Sequence, residues 1–152
     1  MDNELNELYQ QVILDHNKNP RNFGTLDHCT HEAEGFNPLC GDKFDVQMEI
    51  DGNVIKKIMF KGSGCAISKA SASIMTTMIE GKTVEEAEKY FETFHDLITS
   101  APDSEIDEEA LGKIAVLAGV REYPSRIKCA NLAWHTMHNA ILENHDTVTT
   151  DK

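Results

Sequence analysis

The segment that decides the fold is residues 44–60, which read FDVQMEIDGNVIKKIMF. In its first half, apolar residues alternate with polar ones as they do along a strand with one buried face; the apolar positions are Phe44, Val46, Met48 and Ile50. Asp51-Gly52 has the composition of a tight turn. After the turn, the same period resumes at Val54, Ile58 and Phe60. The segment therefore predicts an antiparallel hairpin with one apolar face.

The residues before the hairpin predict a helix and leave a third strand open. Apolar side chains form a helical stripe that ends at Asn19-Pro20; they are Leu5, Leu8, Tyr9, Val12 and Ile13. Residues 31–36 are compatible with a third strand, although their alternating pattern is too short to decide from periodicity.

After Gly62-Ser63-Gly64 the pattern becomes helical. We expect a helix over residues 67–78, a second opened by a Thr83–Glu86 capping box, a third over 111–118 closed by Gly119, and a last one from about Cys129 to Asn144. This order predicts an α+β domain, with a short antiparallel sheet covered on one face by helices. We expect a single domain at residues 1–144 and a disordered tail at 145–152.

Composition excludes several kinds of partner. The 26 acidic and 14 basic residues give a formal charge of −12, which repels nucleic acid and anionic membranes. Acidity instead suits docking on a positive protein surface, although it also aids solubility. The opening MDNELNELYQQ lacks the basic and apolar regions of a secretory signal, and no apolar run is long enough to span a membrane. We expect a cytoplasmic protein whose four cysteines act as ligands or reactive thiols.

Three of these cysteines lie at junctions between predicted elements. They are Cys40 in NPLCGD, Cys65 after GSG, and Cys129 after the break YPS. Side chains at such junctions can converge on one point at a surface. Asp42, two residues after Cys40, leaves the same face of an extended chain and can share an ion with it.

The chemistry of these positions favours metal binding. Cys65 and Cys129 each precede a predicted helix, whose dipole and exposed N–H groups favour a thiolate. Arg126 and Lys128 add positive charge beside Cys129. Three thiolates and the Asp42 carboxylate form a tetrahedral set suited to zinc or to iron.

Other interpretations of these residues stay open. Buried cysteines often act as small apolar side chains. A structural zinc site is a second alternative, although such sites prefer sulfur and nitrogen donors to a carboxylate. A cysteine hydrolase with Cys65 as nucleophile is a third, and it lacks a neighbouring motif histidine. We interpret Cys29 in HCTH as an ordinary semi-buried thiol, and His135 and His138 as surface or helix-packing residues, despite spacings that metal ligands also show.

Three motifs together resemble the NifU/IscU-type iron-sulfur cluster assembly proteins. They are PLCGD at 38–42, GSGCAIS at 62–68 and RIKC at 126–129, and the first helix and the turn up to Gly24 are similar as well. The resemblance covers residues 1 to about 144. Lys128 stands where the scaffold branch has a histidine, and the segment between Cys65 and Cys129 is longer than in that branch. Both features resemble the SufU branch.

This resemblance implies an IscU/NifU N-terminal fold with a three-stranded sheet, and a zinc ion held by Cys40, Asp42, Cys65 and Cys129. It implies a sulfurtransferase-like relay in which Cys40 accepts persulfide sulfur from a SufS-type, pyridoxal-phosphate-dependent cysteine desulfurase. Downstream iron-sulfur assembly proteins would receive the sulfur. Arg126 matches an arginine of this branch and is expected to guide the exchange or to balance the charge of the site. The alternative is a scaffold that assembles and transfers a [2Fe-2S] cluster on the same ligands.

Overall fold

A computed structural model describes residues 3–38, 41–142 and 148–149 of the chain. Its elements are α1 (Asn3–Lys18), β1 (His31–Asn37), β2 (Asp42–Asp51), β3 (Val54–Ser63), α2 (Ala66–Ile79), α3 (Val84–Ile98), α4 (Glu108–Leu111), a 3-10 helix (Gly112–Glu122), α5 (Pro124–Ile141) and β4 (Val148–Thr149). Among the helices of these ranges, none has both the length and the apolar character needed to cross a membrane.

The strands form one sheet in the order β3-β2-β1-β4. Strands β1, β2 and β3 pair antiparallel, so the predicted hairpin and three-stranded sheet are confirmed. Strand β4 adds two parallel pairs at the edge, Gly35 with Val148 and Phe36 with Thr149. These two residues are the described part of the segment predicted as a disordered tail, and the domain limit at residue 144 stays a prediction.

A register shift in the hairpin changes which side chains face the core. The pairing of β2 with β3 shifts between Glu49 and Ile50. As a result, Ile55 is fully buried while Val54 is 39% exposed. The placement of Val54 on the apolar face was wrong, because the irregularity moves the alternation along by one residue.

The helices cover the sheet face that carries Phe44, Val46 and Met48, all of which are fully buried. Helices α2 and α5 pack against the strands and against each other. Between these helices, the indole N–H of Trp134 donates to the hydroxyl of Ser71 at 3.2 Å. The predicted α+β architecture, with helices on one face of the sheet, is therefore confirmed.

Two helix boundaries differ from the prediction. The helix predicted to close at Gly119 is α4 followed by the 3-10 helix, which continues past that residue. Gly119 does not adopt the positive φ of a helix-ending glycine. Helix α5 begins at Pro124 instead of near Cys129, because proline suits the first helical position, where an N–H would have no helical partner. The capping box that opens α3 is as predicted.

Candidate metal centre

Three of the four predicted ligands meet at one point. One ligand atom each of Asp42, Cys65 and Cys129 lies within 4.8 Å of the others. Within the described ranges, this is the only group of three or more histidine, cysteine or acidic side chains arranged closely enough to hold a metal ion. Cys40, the fourth predicted ligand, lies with Leu39 outside the described residues. We refer to the three side chains that meet as the ligand cluster.

Asp42 reaches the ligand cluster from the first position of β2. It pairs with Asn37, the last residue of β1, across the connection formed by residues 38–41. The N–H of Gly41 donates to the carbonyl oxygen of Asn37 at 2.8 Å, and Gly41 has a φ of +74°, which favours glycine. The connection therefore closes directly beside the buried Asp42 side chain.

Cys65 is placed by the start of α2. It immediately precedes that helix, as predicted, and is its N-cap residue in extended conformation. Its backbone N–H donates to Oδ1 of Asp42 at 2.8 Å, and its Sγ lies 3.2 Å from the Ser68 hydroxyl oxygen. The positive end of the helix dipole faces this position and favours a thiolate.

The residue before Cys65 leaves room for the Asp42 carboxylate. A Cβ added to Gly64 would lie 2.8 Å from Oδ1 of Asp42 and 2.9 Å from ring carbons of Phe44. Such distances are shorter than van der Waals contact, so only glycine fits here without displacing a neighbour.

Cys129 reaches the ligand cluster from inside α5. It is fully buried, and it lies in the second turn of the helix that begins at Pro124. The expectation that Cys129 precedes a helix, with the benefit of the dipole, was therefore wrong. Its Sγ instead lies 3.7 Å from the carbonyl oxygen of Ser125 and 3.7 Å from Nδ2 of Asn37.

The donor set fits a divalent cation such as zinc. Asp42 is fully buried, and among the described residues it forms no ion pair. A buried carboxylate is costly unless hydrogen bonds and a cation compensate it. Two sulfurs and a carboxylate oxygen are ordinary zinc donors, with Zn–S distances of about 2.3 Å and Zn–O distances of about 2.0–2.2 Å. The separation within the cluster is compatible with one shared ion.

Arg126 precedes Cys129 by three residues on α5 and lines a groove. It is exposed in the first turn of α5. The groove has a volume of about 240 Å³, and its lining includes Tyr9, Ile13, Ile67, Val120, Tyr123 and Arg126. Two of the lining residues, Ile67 and Arg126, stand two and three residues from Cys65 and Cys129 in the chain.

The residues interpreted as non-ligands lie elsewhere. Cys29 is exposed rather than semi-buried, and its thiol donates to the carbonyl oxygen of His31 at 3.1 Å. His138 lies 2.9 Å from Glu88 and stacks on Phe91 at a ring-centroid distance of 4.5 Å. His135 meets the same ring edge-on at 5.0 Å. Both histidines therefore pack α5 against α3, in agreement with their interpretation as helix-packing residues.

Sequence reasoning missed the residues that support the ligand cluster. Asn37 is fully buried and donates to both Asp42 and Cys129, while Gly64 leaves space for the carboxylate. Both stand inside or next to the quoted motifs, so their adjacency to predicted ligands was the available signal. Nothing in the pattern of residues distinguishes a buried asparagine at a strand end from an exposed one.

Comparison with known proteins agrees with this geometry. Residues 8–130 match the model of the NifU-like N-terminal domain family. The chain is 43% identical to the zinc-dependent sulfurtransferase SufU of Bacillus subtilis (strain 168) over 138 residues, which cover 90% of this chain and 91% of the relative. It is 38% identical to the iron-sulfur cluster assembly scaffold protein IscU of Streptococcus pyogenes serotype M1, over 91% of this chain and 85% of the relative.

A solved structure has the same fold. It is that of a putative iron-sulfur cluster assembly scaffold protein for the SUF system from Fervidobacterium islandicum AW-1, with a TM-score of 0.80 and 34% identity. The match covers 89% of this chain and 97% of that one. The expected resemblance to the NifU/IscU fold and to the SufU branch is confirmed.

Proposed function

The chain belongs to the NifU-like N-terminal domain family, and we propose that it is a zinc-dependent sulfur relay that accepts persulfide sulfur from a cysteine desulfurase on Cys40. The observation that carries this proposal is the convergence of Asp42, Cys65 and Cys129 within 4.8 Å. The sulfurtransferase named among the relatives supports both zinc as the ion and sulfur transfer as the reaction.

We assign Cys40 as the fourth donor beside the ligand cluster. It precedes Asp42 by two residues, and two residues of extended chain span about 7 Å at most. Pro38 and Gly41, at the ends of the same connection, are exposed, whereas Cys129 and Asp42 are fully buried. Cys40 is therefore the donor that can leave the site most easily. When bound, zinc would hold the ligating cysteines as thiolates.

The proposed step is an exchange between a thiolate and a persulfide. The Sγ thiolate of Cys40 attacks the outer sulfur of the partner's persulfide. A new S–S bond forms on Cys40, the S–S bond on the partner breaks, and the partner's cysteine leaves as a thiolate. One persulfide and one thiolate are present before and after, so no external oxidant or reductant is needed.

The proposed partner is a pyridoxal-phosphate-dependent cysteine desulfurase, which produces persulfides from free cysteine. We assign Arg126 and the groove beside it to this contact, because Tyr and Arg side chains are enriched at protein interfaces. Arg126→Gln should slow transfer and leave the zinc content unchanged, whereas Arg21→Gln, which changes an arginine that does not line the groove, should change neither. Iron-sulfur assembly proteins would then take the sulfur, in the reducing cytoplasm that a thiolate centre requires.

Desulfurase activation tests the proposal. Adding the purified, zinc-loaded chain to a SufS-type cysteine desulfurase and free cysteine should speed alanine formation and place a persulfide on Cys40. Cys40→Ala should abolish both effects. Cys29→Ala is the matched control, because that exposed thiol is not in the ligand cluster, and it should behave like the parent. Full activation by Cys40→Ala would overturn the proposal.

A second candidate function is a scaffold that builds a [2Fe-2S] cluster on the same side chains. The similarity to a relative named as an IscU scaffold protein favours it. Anaerobic reconstitution with iron and sulfide separates the two candidates. A cluster that forms in good yield and passes to an apo-ferredoxin supports the scaffold, whereas zinc that iron does not displace supports the relay.

A further inference from the structure

Asn37 lies between two members of the ligand cluster. It is the last residue of β1 and is fully buried. Its Nδ2 lies 3.3 Å from Oδ2 of Asp42 and 3.7 Å from Sγ of Cys129. One side-chain amide therefore contacts donors that come from two different elements, β2 and α5.

The chemistry of these neighbours determines the orientation of the amide. Asp42 and Cys129 both present acceptor atoms, so the N–H₂ group must face them; the reverse orientation would place Oδ1 against a carboxylate and a sulfur. Both hydrogens of the amide are used in this way, one toward each neighbour. Among the described residues, Oδ1 has no hydrogen-bond donor. An asparagine whose buried Oδ1 finds no donor in the described part of the chain, while both its amide hydrogens face predicted ligands, points to a use for its donors.

The carboxylate of Asp42 is held at both oxygens. Oδ1 accepts from the backbone N–H of Cys65 at 2.8 Å, and Oδ2 accepts from Asn37 at 3.3 Å. Two donors on opposite oxygens restrict rotation of the carboxylate. Since both donors are neutral, they stabilise negative charge without adding a cation that would compete with a metal ion.

We infer that Asn37 is a positioning residue of the metal centre, whose amide orients Asp42 and Cys129 and so makes the centre retain its ion. This inference rests on the zinc centre proposed above. It assigns to Asn37 the role that hydrogen-bonding partners of ligands have in other metal sites, where their loss typically weakens metal binding by about 10–100-fold.

Replacement by an apolar residue of similar size tests the inference. Asn37→Leu removes both donors together with the unsatisfied Oδ1. We expect zinc affinity, measured by competition with a chromophoric chelator, to fall by about 10–100-fold. The absorption bands of the cobalt-substituted protein should shift, because the ligand geometry changes. The metal-free variant should also melt at a lower temperature, because Oδ2 of the buried Asp42 loses its donor. Zinc affinity is therefore compared at a temperature at which both proteins are fully folded.

Asn131 supplies the matched control. It is the other residue of the described chain whose buried Oδ1 has no donor, and its side chain is not in the ligand cluster. Asn131→Leu should leave zinc affinity and the cobalt spectrum as in the parent. An Asn37→Leu protein with parental zinc affinity and cobalt spectrum would overturn the inference.

A second pair of variants provides a test in case Asn37→Leu does not fold. Asn37→Thr and Asn37→Val have nearly the same shape, and only threonine carries a hydroxyl donor. The valine variant should bind zinc more weakly than the threonine variant, and equal affinities would overturn the inference. Neither readout uses sulfur transfer. A parent that binds zinc but does not activate a desulfurase would therefore contradict the relay alone, while parental zinc binding by the Asn37 variants would contradict only the role of Asn37.

Discussion

At the scale of single residues, Gly64 leaves the space in which the Asp42 carboxylate lies. A methyl group in its place would come within 2.8 Å of Oδ1 of Asp42 and 2.9 Å of the Phe44 ring. We expect Gly64→Ala to displace the carboxylate and to lower zinc affinity about tenfold or more. Overpacking should also destabilise the metal-free chain by about 1–3 kcal/mol. Chelator competition and urea unfolding measure the two effects.

Gly119→Ala is the control for this substitution. A Cβ at that position meets nothing within 4 Å, and Gly119 does not need a positive φ. Zinc affinity and stability should therefore stay at the parental values. Parental zinc affinity in Gly64→Ala would show that the contact between residue 64 and Asp42 does not orient the carboxylate.

At the scale of elements, the contact between α3 and α5 contains a group of histidines around one aromatic ring. His135 and His138 of α5 both pack on Phe91 of α3, and His95 meets His135 edge-on at 6.1 Å. The pKa of His135 lies below its ordinary value of 6.5, mainly because the side chain is partly buried. The nearby His95 and His138 lower this pKa further. Protonation of His135 therefore opposes the packing of these two helices.

The sign of the pH dependence follows from this lowered pKa. Between the folded-state pKa of His135 and 6.5, the unfolded chain binds more protons than the folded one. The contribution of neutral His135 to the free energy of unfolding is therefore fully present above pH 6.5. It is lost as the pH falls toward the folded-state pKa of His135. His135→Leu should lose less unfolding free energy than the parent between about pH 7.5 and about pH 5.5, at equal zinc loading.

Two other histidines matter for this experiment: His16 is a second source of acid destabilisation, and His28 is the control. Burial also lowers the pKa of His16, with Arg21 and Lys113 acting in the same direction, so part of the acid destabilisation should remain in the variant. His28, whose side chain is 77% exposed, is the control, and His28→Leu should keep the full parental loss. If His135→Leu lost as much stability as the parent, the α3–α5 contact would not be the source of the pH dependence.

Arg121 fixes the loop between α3 and α4 to the 3-10 helix. The guanidinium is buried and donates to the carbonyl oxygens of Ala118, Ala101 and Ser104 and to the hydroxyls of Ser100 and Ser104. A lysine cannot reproduce these donors in a fixed plane. We expect Arg121→Lys to destabilise the protein by about 2–3 kcal/mol and to increase hydrogen exchange in residues 99–107.

An exposed arginine provides the contrast. Arg21 pairs with Asp15 at 2.6 Å, and their side chains are 42% and 51% exposed. Exposed ion pairs are worth about 0–1 kcal/mol, so Arg21→Lys should barely change stability and should leave exchange in the loop unchanged. Equal effects of the two substitutions would contradict the role of Arg121.

At the scale of the whole molecule, most of the architecture was predictable from hydrophobic periodicity. One buried sheet face imposes a period of two on residues 44–50, and the switch to a helical period after Gly64 marks the covering layer. The register shift near Ile50 and the 3-10 helix were not predictable, because tertiary packing decides them. The start of α5 was missed because a proline can open a helix as well as interrupt one.

The same distinction applies to the metal centre. Asp42, Cys65 and Cys129 were predictable because metal donors at glycine-rich and turn-rich junctions are visible in a sequence, and the structure brings these three together. Their roles as ligands, and that of Cys40, stay predictions. The role of Asn37 was not predictable, since it depends on the complete burial of this side chain between Asp42 of β2 and Cys129 of α5.

The ligand cluster also connects distant parts of the whole molecule. Asp42 begins β2, Cys65 caps α2, and Cys129 lies in α5, so an ion shared among them would link the sheet to both covering helices. Because the unfolded chain cannot present these donors together, zinc should bind the folded state and stabilise it. Above the dissociation constant, unfolding free energy should rise by about 1.4 kcal/mol for each tenfold increase in free zinc.

Thermal or urea unfolding in zinc buffers measures this slope. Cys129→Ala should remove most of it, while Cys29→Ala, which changes an exposed thiol outside the ligand cluster, should keep the parental slope. An excess of chelator should bring the parent close to the stability of Cys129→Ala at low zinc, apart from the packing lost with the buried sulfur. A parent whose unfolding free energy does not depend on free zinc would show that these elements are held together by packing alone, and the convergence of Asp42, Cys65 and Cys129 would then need an explanation other than a resident ion.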